Sequence, residues 1–177
     1  MAESLQNPPI FKHARDITIL PVTVTILIPF LIYKEADMVF FDNYITGYIG
    51  SLFIFFGLLL FLYTVILLAK IGKGTLAPWT PTQRLVVAGP YKYCRNPMIS
   101  GILFILIGQA LLLASLNVAL WTALFFTLNT LYFVSKEEPD LLKRFGDDYV
   151  RYSENVPRWI PRVNPFELHE VVKERSR

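Results

Sequence analysis

Cysteine occurs once in this chain, at Cys94, and histidine twice, at His13 and His169. A single thiol excludes an intrachain disulfide, and no Cys/His set stands at metal-ligand spacing, so no metal site is expected. Charge is also scarce: charged residues make up 18% of the 177 residues, against 54% hydrophobic, where a soluble domain carries roughly a quarter charged. The net charge of +3 sits in clusters flanking apolar stretches and forms no basic domain, which argues against a nucleic-acid partner and for membrane-surface phosphates as neighbours. Repeats and low-complexity tracts are absent. The N-terminal stretch Met1 to Asp16 carries Asn7, Pro8 and Pro9 with charges before its first apolar run, unlike the short basic start of a cleavable signal peptide, so the first span is expected to be retained.

What the chain has in abundance is long apolar runs. Four of them, about 17–33, 45–69, 98–114 and 117–134, contain no Lys, Arg, Asp or Glu. A membrane span needs about 17–25 apolar residues, because a helix rises about 1.5 Å per residue across about 30 Å of hydrocarbon. The expected fold is therefore all-α: one polytopic transmembrane domain over residues 1–177, with the third run barely long enough. Pro21 and Pro29 remove backbone donors and should make the first helix the least regular. The short link from Ala114 to Asn117 predicts that the third and fourth spans form a helical hairpin. Sixteen of the 17 Lys and Arg residues fall before span one, between spans two and three, or after span four, which predicts both termini on the cytoplasmic side. The chain is thus expected in a bilayer, the cell inner membrane or the endoplasmic reticulum.

Two extramembrane segments are too shaped to be simple linkers. Lys70 to Pro97 is punctuated by glycine and proline around the strip Leu85, Val86 and Val87. From Ser135 onward, Glu137, Glu138 and Asp140 read as the acidic first turn of a new amphipathic helix, with Leu141, Leu142, Phe145, Tyr149 and Tyr152 on its apolar face. Val156 to Pro161 reads as an extended aromatic strap, and the tail from Phe166 as a short helix. Gln109 and Asn129, inside spans three and four, are expected to bond from helix to helix.

A hairpin returns the chain to the interface it left, so Arg95, before span three, should meet Glu137 and Glu138, after span four. Guanidinium and amide donors from Arg95 and Asn96, carboxylate acceptors, and close backbone approach at Gly89, Pro90 and Gly101 suit a zwitterion with a neighbouring sulfonium, the features of S-adenosylmethionine.

The residues Gly89-Pro90-Tyr91, Arg95-Asn96-Pro97-Met98-Ile99-Ser100-Gly101, Glu137-Glu138, Phe145-Gly146, Tyr149, Tyr152 and Val156-Pro157-Arg158 resemble the isoprenylcysteine carboxyl methyltransferase and phospholipid methyltransferase superfamily, over roughly the last 100 residues. Asn96 stands where that pattern usually has His, and Ile99 where it has Tyr. The resemblance implies a cofactor region over about 85–101 and 135–162 and S-adenosylmethionine as cofactor, with S-adenosylhomocysteine as product. It assigns cofactor binding to Gly89, Pro90, Tyr91, Arg95, Asn96, Pro97, Gly101, Glu137 and Glu138. Glu138 and Arg144 would act at the reaction centre, and Tyr149, Tyr152 and Arg158 on the substrate. The implied activity is methyl transfer to a lipophilic or small hydrophobic acceptor, a carboxylate, amine or thiol, at the cytosolic face. Two alternatives are an NADPH-dependent membrane reductase of the sterol type, which the Glu pair disfavours because a 2′-phosphate calls for more cations, and a non-enzymatic membrane scaffold.

Overall fold

The computed structural model describes residues 20–33, 44–72 and 84–167. Residues 1–19, 34–43, 73–83 and 168–177 lie outside them, with the expectations made there. Among the described residues all regular structure is helical. We label the helices α1 (Leu20–Ile32), α2 (Tyr44–Ile71), α3 (Pro97–Leu112), α4 (Leu116–Phe145) and α5 (Asp147–Asn155).

Of these, α2 and α4 are long and apolar enough to cross a membrane, while α1 and α3 are shorter apolar helices. The 16 residues of α3 rise only about 24 Å, short of a full hydrocarbon core. Its ends are fixed locally. Pro97 occupies the first turn, where its missing N–H costs nothing, and Ala114 adopts a left-handed conformation (φ 45°) that turns the chain. Ser115 then caps α4, its hydroxyl accepting from the Val118 amide at 3.4 Å. The predicted hairpin is present.

The tightest packing is between α2 and α3, and glycine makes it so. A Cβ on Gly50 would lie 2.7 Å from the Gly108 carbonyl oxygen, and one on Gly57 would lie 2.7 Å from that of Gly101. The two pairs sit seven residues apart on each helix, which keeps them on one seam of two antiparallel helices. In lipid, where apolar side chains gain nothing by leaving one hydrocarbon for another, backbone contact of this kind is a main source of helix affinity.

The first helix is irregular for the reason its prolines predict. Ile28 donates to the Thr23 carbonyl in a wide i→i+5 turn, and Pro29 has no N–H to offer Val24 or Thr25. Both carbonyls are satisfied from outside: Gln109 Nε2 donates to Thr25 O at 2.7 Å, and Trp121 Nε1 to Val24 O at 3.2 Å. Gln109 therefore does bond between helices, docking α1 onto α3. Asn129 does not; its amide donates to Phe125 O within α4 at 2.8 Å.

One expectation is corrected. No new helix begins at Ser135. The fourth apolar run continues through a wide turn at Phe133–Glu137 into the amphipathic segment Glu138–Phe145 as one 30-residue helix, α4. Glu137 and Glu138 therefore follow a preceding helical turn and face no free N-terminal dipole. The predicted amphipathic helix instead breaks at Gly146 (φ 53°, ψ −130°), so Tyr149 and Tyr152 belong to α5, which folds back.

The glycine seam predicts a sharp contrast. Gly101→Leu should destabilise the protein by at least about 1–3 kcal/mol, since its side chain would meet α2 backbone. Gly47→Ala, with nothing within 4 Å of its Cβ, should be neutral or mildly stabilising. Thermal unfolding of both variants in detergent measures the difference.

Candidate active site

The charged ends of α3 and α4 are gathered under a small layer built from the segment before α3, α5 and the strap that follows it. Its core is Tyr149, Tyr152, Val156 and Phe166, packed by Leu85, Val87, Leu141 and Phe145. The strap after α5 lies along the segment preceding α3: the Arg95 amide donates to Pro157 O at 2.9 Å, Arg162 N to Tyr93 O at 3.0 Å, and Phe166 N to Lys92 O at 3.0 Å. Cys94 is buried in this seam and its thiol donates to Arg158 O at 3.2 Å. Burial pushes the Cys94 thiol pKa up, consistent with a packing residue and not a nucleophile.

Glu138 is the centre of the polar cluster. Arg158 grips it with two bonds, Nε to Oε1 at 2.6 Å and Nη2 to Oε2 at 2.9 Å, the fork geometry that makes guanidinium–carboxylate pairs directional. Arg95 Nη1 reaches the same Oε1 at 3.2 Å and donates to the Tyr149 hydroxyl at 3.4 Å. Two guanidinia distant in sequence thus meet at one carboxylate. Hydrogen bonding to Glu138 raises the Arg158 pKa further, and burial beside Glu138 raises that of Tyr149, whose hydroxyl keeps its proton. Arg95 Nε is buried and has no hydrogen-bond partner.

Glu137 points elsewhere. Tyr132 donates to its Oε2 at 3.3 Å, and Arg144 Nη2 lies 4.0 Å from its Oε1. Arg144 itself is exposed and stacks over Phe145, so the residue expected beside Glu138 is paired with its neighbour instead.

The remaining sequence-predicted residues separate into two groups. Tyr91 and Tyr152 are core residues, the Tyr152 hydroxyl donating to the Tyr91 carbonyl at 2.7 Å, and Asn96 sits at the N-cap of α3 with its carbonyl accepting from Ser100 Oγ. The space left by Gly101 is taken by Gly57 and Phe61 of α2. Gly89, Pro90 and Pro97 instead line a cavity of about 940 Å³ on the opposite side of the same wall. Its floor is α3 (Ser100, Phe104, Ile107), its sides are Leu60 and Tyr63 of α2 and Ala119 and Ala123 of α4, and its roof is Trp159 to Pro161. The lining is almost wholly apolar. Gly89 is in the left-handed region (φ 53°), and a Cβ there would come within 2.9 Å of the Tyr63 hydroxyl.

The wall between cluster and cavity is two-sided because consecutive residues diverge. Arg95 and Arg158 serve the cluster, whereas their neighbours Cys94 and Trp159 line the cavity. Trp159 packs on Phe126 and Phe133. Sequence reading missed this cavity and the pairing of Arg158 with Glu138; the signals present were the alternation in the strap and the small residues Ala119 and Ala123 on one face of α4.

A phospholipid methyltransferase family profile matches residues 45–148, more than half of the chain, from α2 through the start of α5. The chain belongs to the phospholipid methyltransferase family. No curated protein and no solved structure matches it. Family membership favours methyl transfer over the reductase alternative, and the family generally uses S-adenosylmethionine. The family assignment and the two long apolar helices make this an integral membrane protein of a methyltransferase family.

The cluster fits such a ligand in kind. An amino-acid group presents a carboxylate and an ammonium, and the cluster offers both ionised donors and an ionised acceptor. The unpartnered Arg95 Nε is a donor left over by the protein's own bonding.

The asymmetry between the two acids is testable by stability alone. Glu138→Ala leaves two guanidinia without their shared acceptor and should cost about 1–3 kcal/mol. Glu137→Ala breaks an exposed 3.3 Å bond from Tyr132 and a 4.0 Å pair to Arg144 and should cost less than about 1 kcal/mol. Equal unfolding shifts for the two would contradict the assignment of Glu138 as the hub.

Proposed function

We propose that this chain transfers a methyl group from S-adenosylmethionine to the headgroup of a membrane lipid, at the cytosolic face of the bilayer. The observation that carries the reading is the shared wall: an ion-pair cluster suited to an amino-acid zwitterion backs directly onto an apolar cavity framed by membrane helices. The cytosolic placement is supported by the Lys and Arg residues concentrated at this end of the helices.

In this reading the Arg95 side chain turns to offer its buried, unpartnered Nε–H to the carboxylate of the cofactor, and Glu138 receives the ammonium in exchange for one of its guanidinium contacts. The bound cofactor supplies an electrophilic methyl on a sulfonium, with a neutral leaving group. The protein's work is then alignment and exclusion of water. The strap roofs the cavity with Trp159, Ile160 and Pro161 and keeps water out, while α2, α3 and α4 hold the acceptor's chain, which reaches the cavity sideways from the bilayer. A carboxylate acceptor needs no base. An amine acceptor releases a proton, and Glu137, held only by Tyr132 and a long pair to Arg144, is freer to take it than Glu138.

Calorimetric titration of the detergent-purified protein with S-adenosylhomocysteine tests this. Saturable binding is expected, weakened about ten- to a hundredfold in Arg95→Ala and in Glu138→Gln, the range for losing a hydrogen bond to a charged group. Unchanged affinity in both variants would move the cofactor elsewhere, and saturable binding of NADPH alone would replace methyl transfer with reduction.

A further inference from the structure

Resting on the lipid-methylation reading, we infer that the apolar cavity is a gauge for a single lipid chain, with Ile107 and Ala119 as its stop. The cavity begins at Pro97 on α3, at the level of the charged cluster, and ends at Ile107. Ten residues separate them, a rise of about 15 Å, which is half of a hydrocarbon core of about 30 Å. It therefore extends from the headgroup level to the bilayer midplane and no further, the reach of one chain in one leaflet. A lipid can seat a chain there without changing its depth or leaving its leaflet.

The lining matches that occupant. The hydroxyls of Ser100 and Thr122 along it are spoken for: Ser100 Oγ donates to Asn96 O and Thr122 Oγ1 to Val118 O, so the α3 and α4 walls ask for no polar partner there. The other polar groups belong to the Gly89 and strap end of the lining: the Tyr63 hydroxyl lies beside Gly89, and the roof residue Trp159 carries a buried indole N–H with no hydrogen-bond partner. Width along the α4 side is set by alanine. Ala119 lies deep, beside Ile107, and Ala123 one turn closer to the mouth, about 6 Å higher. Bulk at these two positions closes the cavity at two different depths, and loss of bulk at Ile107 opens it beyond the midplane.

The test uses the full chain in detergent, native mass spectrometry, and lysophosphatidylethanolamines from hexanoyl to stearoyl as probes. For the unaltered protein, retained lipid should rise with chain length and then level off. Ala119→Phe should bring the plateau to shorter chains, Ala123→Phe to chains shorter still, and Ile107→Ala should move it to longer ones. None of the three should change S-adenosylhomocysteine affinity by more than about twofold, since none touches the cluster. Identical length profiles in all four proteins would overturn the gauge even with cofactor binding intact. Shifted profiles without any S-adenosylhomocysteine binding would uphold the gauge and remove the methyl-transfer reading. Ile107→Ala guards against misfolding, because it takes volume away where the other two add it.

Discussion

Everything at the charged end of this protein is organised around one carboxylate. Glu138 stands on the extension of α4, Arg95 on the segment leading into α3, and Arg158 on the strap after α5, so a single acid holds three parts of the chain in register. Two cations on one anion are favourable only where the geometry is good, and the forked bonds from Arg158 supply it. The cluster is a partly exposed one, which limits its contribution to stability but leaves it reachable by a ligand. That combination, ordered yet accessible, is what a binding site for a small zwitterion requires.

The carboxylate can occupy this position because of packing some distance away. The α2–α3 seam is built on glycine backbones in contact at Gly50 with Gly108 and Gly57 with Gly101, and α3 and α4 are joined by a turn of a few residues. Together these fix the depth of Pro97 and hence of Arg95. Glu137 and Glu138, neighbours on the α4 extension, stand about 100° apart around the helix and so face different partners.

How much of this was legible in the sequence depended on the range of the interaction. The charge-free runs gave the helices, because hydropathy and length are local properties. The return of Arg95 to Glu138 followed from chain length and one tight turn, and Pro29 announced the irregularity of α1 although not that Gln109 and Trp121 would answer it. What failed was the reading of Glu137, Glu138 and Asp140 as a helix start. Acidic residues after an apolar run fit a new first turn equally well as a continuing helix, and no glycine or cap residue intervenes to decide. The true break, Gly146, was quoted only as part of a motif. Gly101 was likewise open to two physical uses, ligand approach and helix contact, and only its seven-residue spacing to Gly108, matched by Gly50 and Gly57, distinguishes the second.

The proposed activity depends on the wall being shared: Arg95 and Arg158 pair with Glu138, while their chain neighbours Cys94 and Trp159 line the apolar cavity. A crystal structure of the protein grown from a lipid mesophase with S-adenosylhomocysteine examines it most directly. The account predicts the amino-acid end of the ligand within hydrogen-bond distance of Arg95 and Glu138, and its sulfur facing the mouth of the apolar cavity. A ligand bound away from both residues, with the Arg158–Glu138 pair intact, would contradict it.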